Sequence, residues 1–275
     1  MPPSFGRSLV APDGVINRAV CGFLDLLFPD ECRVCEEPLH EVSRVPVCRA
    51  CLQPPQPVHA DFSCRTCRTP FLNRYPLDET GQCALCRLEL NGFSEVFAAG
   101  AYQGALRKLI HLFKFDGVRP LARPLAGFLA QALPRERRFD AIVPMPLHWR
   151  RRLQRGFNQS ELLAREIGRR WNVPVRKLVR RKRATAPQAG LTGAQRRKNV
   201  QGAFAVRAET KLNGLSILLV DDVLTTGATA GACARALRRA GAAHVALLAL
   251  ARRDRLSGAE RPLNSLAAAS GSTHE

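Results

Sequence analysis

Eight of the ten cysteines in this 275-residue chain fall into four CxxC pairs. The pairs are Cys32 and Cys35, Cys48 and Cys51, Cys64 and Cys67, and Cys83 and Cys86. Two thiolates at this spacing reach one metal ion from a single tight turn, and a second pair completes a tetrahedral shell around Zn²⁺ at roughly 2.3 Å. In a reducing compartment, such pairs bind metal far more often than they form disulfides. We therefore predict that these cysteines bind zinc.

Consecutive pairs give the simplest zinc assignment. The loops within the two halves, 36–47 and 68–82, have the lengths expected of two successive zinc ribbons. We expect one ion on the first two pairs and a second on the last two, although the spacing also allows crossed pairing. A shell of four sulfurs leaves no position for water, so these sites are predicted to be structural. A redox CxxC is the alternative, but it would follow a strand and open a helix, a junction that this Pro-rich region lacks.

A second candidate for chemistry is the stretch LLVDDVLTTGAT at residues 218–229. An apolar run leads into Asp221 and Asp222, and a turn of small and hydroxyl residues follows at 225–229. If a helix begins there, its free N–H groups and positive end bind an anion, and glycine lets the backbone approach closely. Carboxylates just upstream accept from ribose hydroxyls or hold Mg²⁺. The pattern indicates a sugar phosphate site; the alternative is a core strand with a simple helix cap.

Alternating strands and helices are needed to position these residues, and the surrounding sequence predicts such an alternation. Strands are predicted at 93–102, 139–144, 215–220 and 245–250, and helices at 104–115, 120–133, 158–171 and 229–240. Short apolar strands separated by helices are typical of an α/β fold with a parallel sheet covered on both faces. Ligands bind beyond the carboxyl ends of such strands, where Asp221 and Asp222 are expected. Because side chains alternate along a strand, both acids face one ligand only if the chain leaves the strand between them.

The chain is strongly basic, with 42 Lys and Arg against 23 Asp and Glu and a formal charge of +19. Residues 147–207 contain 17 of the basic residues and two acidic residues, Glu161 and Glu166. A local excess of this kind predicts an acidic partner.

The apolar stretch at 15–28 bears on location. Arg18 and Asp25 interrupt it, and it is shorter than the roughly 20 residues that a membrane helix needs. We expect an amphipathic helix, no membrane span and a cytoplasmic protein.

Several motifs follow one another in a characteristic order. After the CxxC pairs come VPMPLH, RRLQRGFNQ, ATAPQAGLTGAQRRKNVQGAF and, after a buried strand, VDDVLTTGAT. The last is similar to the phosphoribosyl-pyrophosphate (PRPP) binding motif of type I phosphoribosyltransferases. The whole order, over about residues 20–252, resembles the ComF family, the competence-associated group also called GntX-like. The resemblance implies a type I phosphoribosyltransferase fold, a parallel sheet flanked by helices, with a small N-terminal zinc-ribbon module.

The expected segments are an N-terminal helix at 1–30, a double zinc ribbon at 31–90, a phosphoribosyltransferase domain at 91–254 and a disordered tail at 255–275.

The resemblance also implies roles for individual residues. Asp221 and Asp222 would contact the ribose hydroxyls and Mg²⁺. The 5′-phosphate would lie on the turn formed by Thr225, Thr226, Gly227, Ala228 and Thr229. The loop after Pro144 would take the place of the pyrophosphate-binding loop, with His148, Arg155, Gly156, Asn158 and Gln159. Its glycine and its helix-starting asparagine suit an anion site on physical grounds as well.

A further loop at 184–200 would close over the substrate and bring Arg196, Arg197 and Lys198 to the pyrophosphate. The predicted catalytic residues are thus Asp221, Asp222, Arg196 and Lys198. His148 is a candidate general base, but a lone histidine in a loop more often contacts phosphate or backbone.

The implied activity is displacement of pyrophosphate from PRPP by a nitrogen nucleophile, with Mg²⁺ and cationic side chains stabilising the leaving group. The resemblance links the family to DNA uptake in natural transformation, and by analogy to nucleotide metabolism, and leaves the acceptor open. The alternative is a non-catalytic protein that senses PRPP or a nucleotide, or that binds single-stranded DNA or a protein of the competence machinery. The basic segment favours DNA, but its few aromatic residues offer little stacking surface.

Overall fold

The computed structural model describes residues 31–39, 44–58, 60–89, 91–147, 153, 155–183, 192–207 and 211–253. The chain forms two compact units, Met1–Gln53 and Pro54–Glu275. The first four-cysteine group belongs to the first unit, and the second group belongs to the same unit as the sheet. The expected helix at 15–28, His148, residues 184–191 and the expected tail at 255–275 lie outside the described residues.

In the first unit, a tight turn presents the first CxxC pair. The backbone amide of Cys32 donates to the carbonyl of Glu37 at 2.8 Å. Glu36 has a φ of 68°, the left-handed conformation that turns the chain back directly after the second cysteine of the pair. Val34 and Val47 are buried and give this unit a small apolar core.

The second unit is built on a parallel four-stranded sheet, which confirms the predicted fold class. Its strands are β3 (Glu95–Ala101), β4 (Ala141–Pro144), β7 (Ser216–Leu224) and β8 (His244–Arg252). They lie in the order β3, β8, β7, β4. Two short antiparallel pairs accompany the sheet: β1 (Phe62–Ser63) with β2 (Pro70–Phe71), and β5 (Val179–Arg181) with β6 (Phe204–Val206). The strand that carries the two acids is therefore an inner strand.

The described helices connect these strands. They are α1 (Ala84–Arg87), α2 (Gly104–Lys114), α3 (Ala122–Ala132), α4 (Gln159–Trp171), α5 (Gly193–Val200) and α6 (Ala228–Arg239), with a 3-10 turn, Arg119–Leu121, before α3. In α2, Leu106, Leu109, Ile110 and Phe113 are buried, which is the helical spacing of a single apolar face. Within the described part of the chain, no helix is both long and apolar enough to cross a membrane.

The inner strands are buried on both faces, as their apolar sequences predict. In β7, alternate residues from Ile217 to Val220 point to opposite faces, and all four are at most 1 % exposed. Ile217 and Leu219 belong to an apolar cluster that also contains Leu237 of α6. Helices α3 and α4 pack against each other and contact β3 and β7, respectively. The carboxyl ends of the inner strands therefore extend from a closely packed core.

Three of the differences between the structure and the sequence predictions bear on the site. Strand β7 continues to Leu224 instead of ending at Val220, because its pairing with β8 extends to the end of both strands. Helix α6 begins at Ala228, one residue earlier than expected. The described part of the predicted closing loop, 192–200, contains α5, which starts with a capping box between Thr192 and Gln195.

Candidate functional site

The carboxyl edge of the sheet contains a cavity of about 390 Å³. The end of β7 and the start of α6 contribute to its wall, together with the loop after β4 and the first turn of α4. Nine residues predicted for ligand binding line it: Arg155, Asn158, Gln159, Asp221, Asp222, Thr225, Gly227, Ala228 and Thr229. This is the position expected for a ligand in an α/β sheet.

Asp221 lies on β7 and borders the cavity. Its carboxylate accepts hydrogen bonds from Ser160 Oγ at 3.3 Å and from the backbone amide of Asp222 at 2.9 Å. Burial, and after it the negative charge of Asp222, raises the pKa of Asp221 to about 7. The two hydrogen bonds and the Lys114 ammonium favour the charged form but do not offset burial. A further cation beside Asp221 would restore its charge.

Asp222 already has a cationic partner. Its Oδ1 atom lies 2.8 Å from the Nζ atom of Lys114, and the two side chains are about 15 % exposed. Lys114 is the last residue of α2. Both acids border the same cavity although they are neighbours on one strand. The register with β8 keeps one offset past the acids, pairing Asp221 with Ala249 and Val223 with Ala251. The chain therefore does not leave the strand between the two acids, and both border the cavity near the end of a continuing strand.

The turn between β7 and α6 has the geometry of an anion site. Gly227 is the N-cap residue of α6 with a φ of 74°, a conformation that favours glycine. Thr225, Ala228 and Thr229 border the cavity. Thr226 accepts a hydrogen bond from the Ala228 amide at 3.4 Å but is not among the residues that line the cavity. The start of α6 therefore presents backbone amides and hydroxyls at the positive end of a helix.

The loop after β4 is held in place by Asn158, the N-cap residue of α4, as predicted. Asn158 donates from Nδ2 to the Met145 carbonyl at 3.0 Å and accepts through Oδ1 from the Ser160 amide at 3.1 Å. Arg155 lies over the ring of Phe115, 5.1 Å from its centre. Asn158 therefore joins both ends of the loop beside the cavity, and Arg155 packs the loop against the end of α2.

Gly156 and the basic residues of α5 do not line the cavity. Gly156 has a φ of 71° and shapes the backbone before Asn158. Arg196 and Lys198 lie on α5, which contacts α6. The pKa of Arg235, near the end of α6, is lowered by burial and then by the charges of Arg239 and Arg197, so Arg197 lies along the second half of that helix. The structure therefore does not bring Arg196 and Lys198 to the cavity.

Sequence reasoning missed five polar residues of the cavity: Tyr102, Lys114, Ser160, Arg181 and Arg253. Ser160 directly follows the predicted Asn158 and Gln159, so its place in the first helical turn was a usable signal. The other four come from the ends of α2, β3, β5 and β8. They reach the site through the tertiary fold, and local sequence carries no signal for that.

The cysteine side chains form two clusters by consecutive pairs. In each, the four Sγ atoms lie within 4.8 Å of one another. The Sγ atoms of Cys35 and Cys48 are 3.6 Å apart, and those of Cys67 and Cys83 are 3.8 Å apart. A zinc ion with four bonds of roughly 2.3 Å places its sulfurs roughly 3.8 Å apart. Both clusters fit a zinc ion, and the grouping is the consecutive one.

Backbone amides point at the sulfurs of the first cluster. The amides of Val34 and Cys48 donate to Cys32 Sγ at 3.4 and 3.3 Å. Burial tends to raise the pKa of Cys32, but the amides of Cys48, Cys35 and Val34 outweigh it and lower the pKa to about 6. The thiolate is the form that binds metal.

The second cluster is tied to the sheet by Arg252, at the end of β8. The guanidinium donates to the Cys67 carbonyl and to Thr69 Oγ1, and Arg252 is only 6 % exposed. Asn91 Nδ2 donates to Cys86 Sγ at 3.3 Å. Four thiolates around Zn²⁺ carry a net negative charge, so a buried guanidinium beside them offsets it.

Comparisons with known proteins agree with this geometry. Residues 153–266 match the family model of the phosphoribosyl transferase domain. The chain is 36 % identical over 180 residues to the DNA utilization protein YhgH of Salmonella typhi, across 62 % of this chain and 77 % of that protein. It is 32 % identical over 178 residues to competence protein F of Haemophilus influenzae, across 62 % of this chain and 78 % of the relative.

Among solved structures, the glutamine PRPP amidotransferase from B. subtilis, complexed with ADP and GMP, aligns with 47 % of this chain and 26 % of its own. The identity is 20 % and the TM-score is 0.34. The two bacterial relatives are matched over more than three quarters of their length at above 30 % identity. The chain therefore belongs to the ComF family, together with these competence and DNA utilization proteins, and it contains a phosphoribosyl transferase domain.

Proposed function

We propose that this protein transfers a phosphoribosyl group from PRPP to a nitrogen acceptor, as a glycosyltransferase that moves a pentosyl unit. One observation carries the proposal: two adjacent carboxylates and a helix-starting turn of amides and hydroxyls border one cavity at the carboxyl edge of the sheet. A sugar phosphate needs both features at once, since its hydroxyls donate to carboxylates and its phosphate accepts from amides.

Each wall of the cavity matches one part of PRPP. Asp221 and Asp222 would accept from the ribose hydroxyls, and Thr225, Gly227, Ala228 and Thr229 would hold the 5′-phosphate. The loop after β4, with Asn158 at its end, would face the pyrophosphate, and Arg155 lies beside it. Thr226 would act indirectly, by fixing the Ala228 amide.

Magnesium fits the donor set of the cavity. The ion prefers oxygen ligands and is usually bound by one or two carboxylates together with substrate phosphates. Asp221 and Asp222 offer those carboxylates, and Lys114 Nζ, at 2.8 Å from Asp222, holds a positive charge at the same place. Bound Mg²⁺ would neutralise the charge that develops on the leaving pyrophosphate.

The chain's own residues stabilise a cationic sugar transition state by position and charge. The Asp pair places negative charge beside the ribose, while Arg155, Arg181 and Arg253 border the cavity with positive charge suited to phosphates. No covalent nucleophile is required, because the pyrophosphate is displaced directly.

Pyrophosphate release from Mg²⁺–PRPP with a panel of bases and amines tests the proposal. We expect release with at least one acceptor and loss of release in the double variant Asp221→Asn, Asp222→Asn. The exposed Asp61 gives a matched control, Asp61→Asn, which should release pyrophosphate normally. Binding of PRPP without release for any acceptor would make the protein a sensor of PRPP and contradict transfer.

DNA binding is the second candidate, favoured by the basic segment and by the names of the relatives. The structure uses part of that charge internally: Lys177 pairs with Glu161 at 2.7 Å, Arg169 pairs with Glu166 at 2.6 Å, and Arg183 donates to backbone carbonyls. Single-stranded DNA affinity that falls steeply with salt, roughly in proportion to the phosphates neutralised, would support this function. A flat salt response would count against it.

The proposal also covers the two cysteine clusters and the cellular location of the protein. We infer two structural zinc ions, one per cysteine cluster, with the chain working in a reducing cytoplasm because thiols that bind metal must stay reduced. We also propose that the zinc ribbons end and the transferase domain begins at about residue 90.

A further inference from the structure

Two buried polar side chains connect the second cysteine cluster to the rest of its unit, one for each CxxC pair. The guanidinium of Arg252 donates to the Cys67 carbonyl and to Thr69 Oγ1. Asn91 Nδ2 donates to Cys86 Sγ at 3.3 Å. Arg252 is 6 % exposed and Asn91 is 5 % exposed. Because a buried polar group that loses its partner destabilises the fold, both side chains are held firmly to the cluster.

The backbone of Arg252 supports one wall of the cavity assigned to PRPP. Its carbonyl accepts a hydrogen bond from the Tyr102 amide at 2.8 Å. The amide of the next residue, Arg253, donates to the Leu224 carbonyl at 2.8 Å. Tyr102, Leu224 and Arg253 all line the cavity. A shift of Arg252 at the end of β8 would therefore move three residues of the wall.

Asn91 leads from the cluster to the turn assigned to the 5′-phosphate. Its carbonyl lies so close to Gly231 of α6 that a Cβ atom on this glycine would clash with it. The Gly231 amide donates to the Gly227 carbonyl at 2.7 Å, and Gly227 lines the cavity. Phe93, two residues after Asn91, also lies against the turn, since a Cβ atom on Gly227 would meet its ring at 3.5 Å. The segment at 91–93 therefore connects Cys86 to the start of α6.

Zinc makes these two contacts depend on each other. Four bonds of roughly 2.3 Å hold the four sulfurs of the cluster at fixed distances, so Cys67 and Cys86 keep one relative position. Their partners, Arg252 at the end of β8 and Asn91 before β3, are then held at a matching separation. Without the ion, the two CxxC turns lose their common anchor. The wall and the turn of the cavity then lose a shared support.

We propose that the second zinc site sets the affinity of the cavity for PRPP, although none of its four cysteines is among the described residues that line the cavity. Arg252 and Asn91 are the positioning residues that connect the two sites, and the inference rests on the function proposed above. Coupling between two binding sites is reciprocal. Zinc should therefore tighten the binding of PRPP, and bound PRPP should help to retain zinc, each by about 5-fold or more.

Zinc release from the full wild-type chain to the coloured chelator 4-(2-pyridylazo)resorcinol tests the coupling without any variant. Release is followed with Mg²⁺ alone and with saturating Mg²⁺–PRPP. We expect PRPP to slow the loss of one zinc ion per chain by about 5-fold or more. Cys83→Ser lacks the second site, and its remaining zinc should be released at the same rate with and without PRPP.

Arg252→Met tests the contact itself, because it removes the guanidinium and leaves all four cysteines in place. Metal analysis should still find both zinc ions, while calorimetric titration should show PRPP binding weakened by about 5-fold or more. Arg238→Met is the matched control. The Arg238 guanidinium also donates to a backbone carbonyl, that of Ala243 at 3.1 Å, but Arg238 is not among the described residues that line the cavity. Its loss should leave the affinity for PRPP unchanged.

The shift in melting temperature caused by Mg²⁺–PRPP separates the coupling from the PRPP site itself. If PRPP binds but leaves the release of both zinc ions unchanged, the coupling is overturned while the PRPP site stands. The same holds if Arg252→Met keeps two zinc ions and binds PRPP as tightly as the wild type. If PRPP does not bind the wild type, the proposed function fails, and the coupling fails with it. If Arg252→Met does not fold, the zinc release of the wild type decides.

Discussion

At the residue scale, the cavity depends on two carboxylates and one ammonium in a partly buried place. Asp222 forms an ion pair with Lys114, whereas the pKa of Asp221 is raised to about 7, first by burial and then by the charge of Asp222. A buried acid that is costly to ionise lowers the stability of the folded protein, and a bound cation compensates this cost by stabilising the charged form.

Asp221→Asn should therefore stabilise the protein when Mg²⁺ and PRPP are absent. A raised pKa means that the folded state keeps its proton from about pH 4 to about pH 7 while the unfolded state loses it, so this group lowers stability as pH rises through that window. We expect similar stability of variant and wild type near pH 4, and a variant more stable by roughly 1 to 3 kcal/mol at pH 8. Urea unfolding across this pH range measures the difference in stability. A variant less stable than the wild type at pH 8 would contradict a raised pKa for Asp221.

At the element scale, the site depends on where β7 stops and α6 starts. The acids lie near the end of β7, and the turn proposed to hold the 5′-phosphate contains Gly227, whose φ of 74° allows this tight connection. Asn158 plays the corresponding part for α4 through its two hydrogen bonds.

Gly227→Ala should cost about 1 to 2 kcal/mol, because alanine is strained at positive φ, and should weaken PRPP binding by about 10-fold or more by shifting the turn. Gly214 provides a matched control: it has a φ of 78°, and a Cβ atom there meets nothing within 4 Å. Gly214→Ala should lose similar stability and keep its PRPP affinity. Equal affinity loss in both variants would show that instability, not turn geometry, is responsible.

Strand and helix positions could be predicted from apolar periodicity. The position of the Asp pair and of the turn after it, at the carboxyl edge of the sheet, could be predicted from their place between a strand and a helix. The features that the sequence did not predict are set by packing between residues that are far apart in the chain. The sequence placed Arg196 and Lys198 in a loop over the substrate, but the capping box at Thr192 starts a helix that packs along α6. Lys114 and Arg253 were missed because only the sheet order brings the ends of α2 and β8 to Asp221 and Asp222.

At the scale of the whole molecule, the second cysteine cluster and the sheet are linked. The second cysteine cluster shares an apolar core with the sheet, including Phe93 and Leu219, and Arg252 connects it to β8. Loss of zinc there should weaken the phosphoribosyltransferase domain as well as the ribbon.

Metal analysis should find about two zinc ions per chain, one for each cysteine cluster. Cys83→Ser should lose one ion and lower the melting temperature. Cys233→Ser alters a buried cysteine outside both clusters and should keep both ions even if it is less stable. A count of one zinc in the wild-type protein would contradict two separate sites.

Binding of Mg²⁺–PRPP, followed as a shift in melting temperature, tests the central claim most directly. At about 100 times the dissociation constant, binding should stabilise the wild-type protein and Asp61→Asn by about 2.7 kcal/mol. The double variant Asp221→Asn, Asp222→Asn should show no shift, because it lacks the carboxylates that hold the ribose and its metal. A shift of equal size in the double variant, or none in the wild type, would contradict the assignment of this cavity to PRPP.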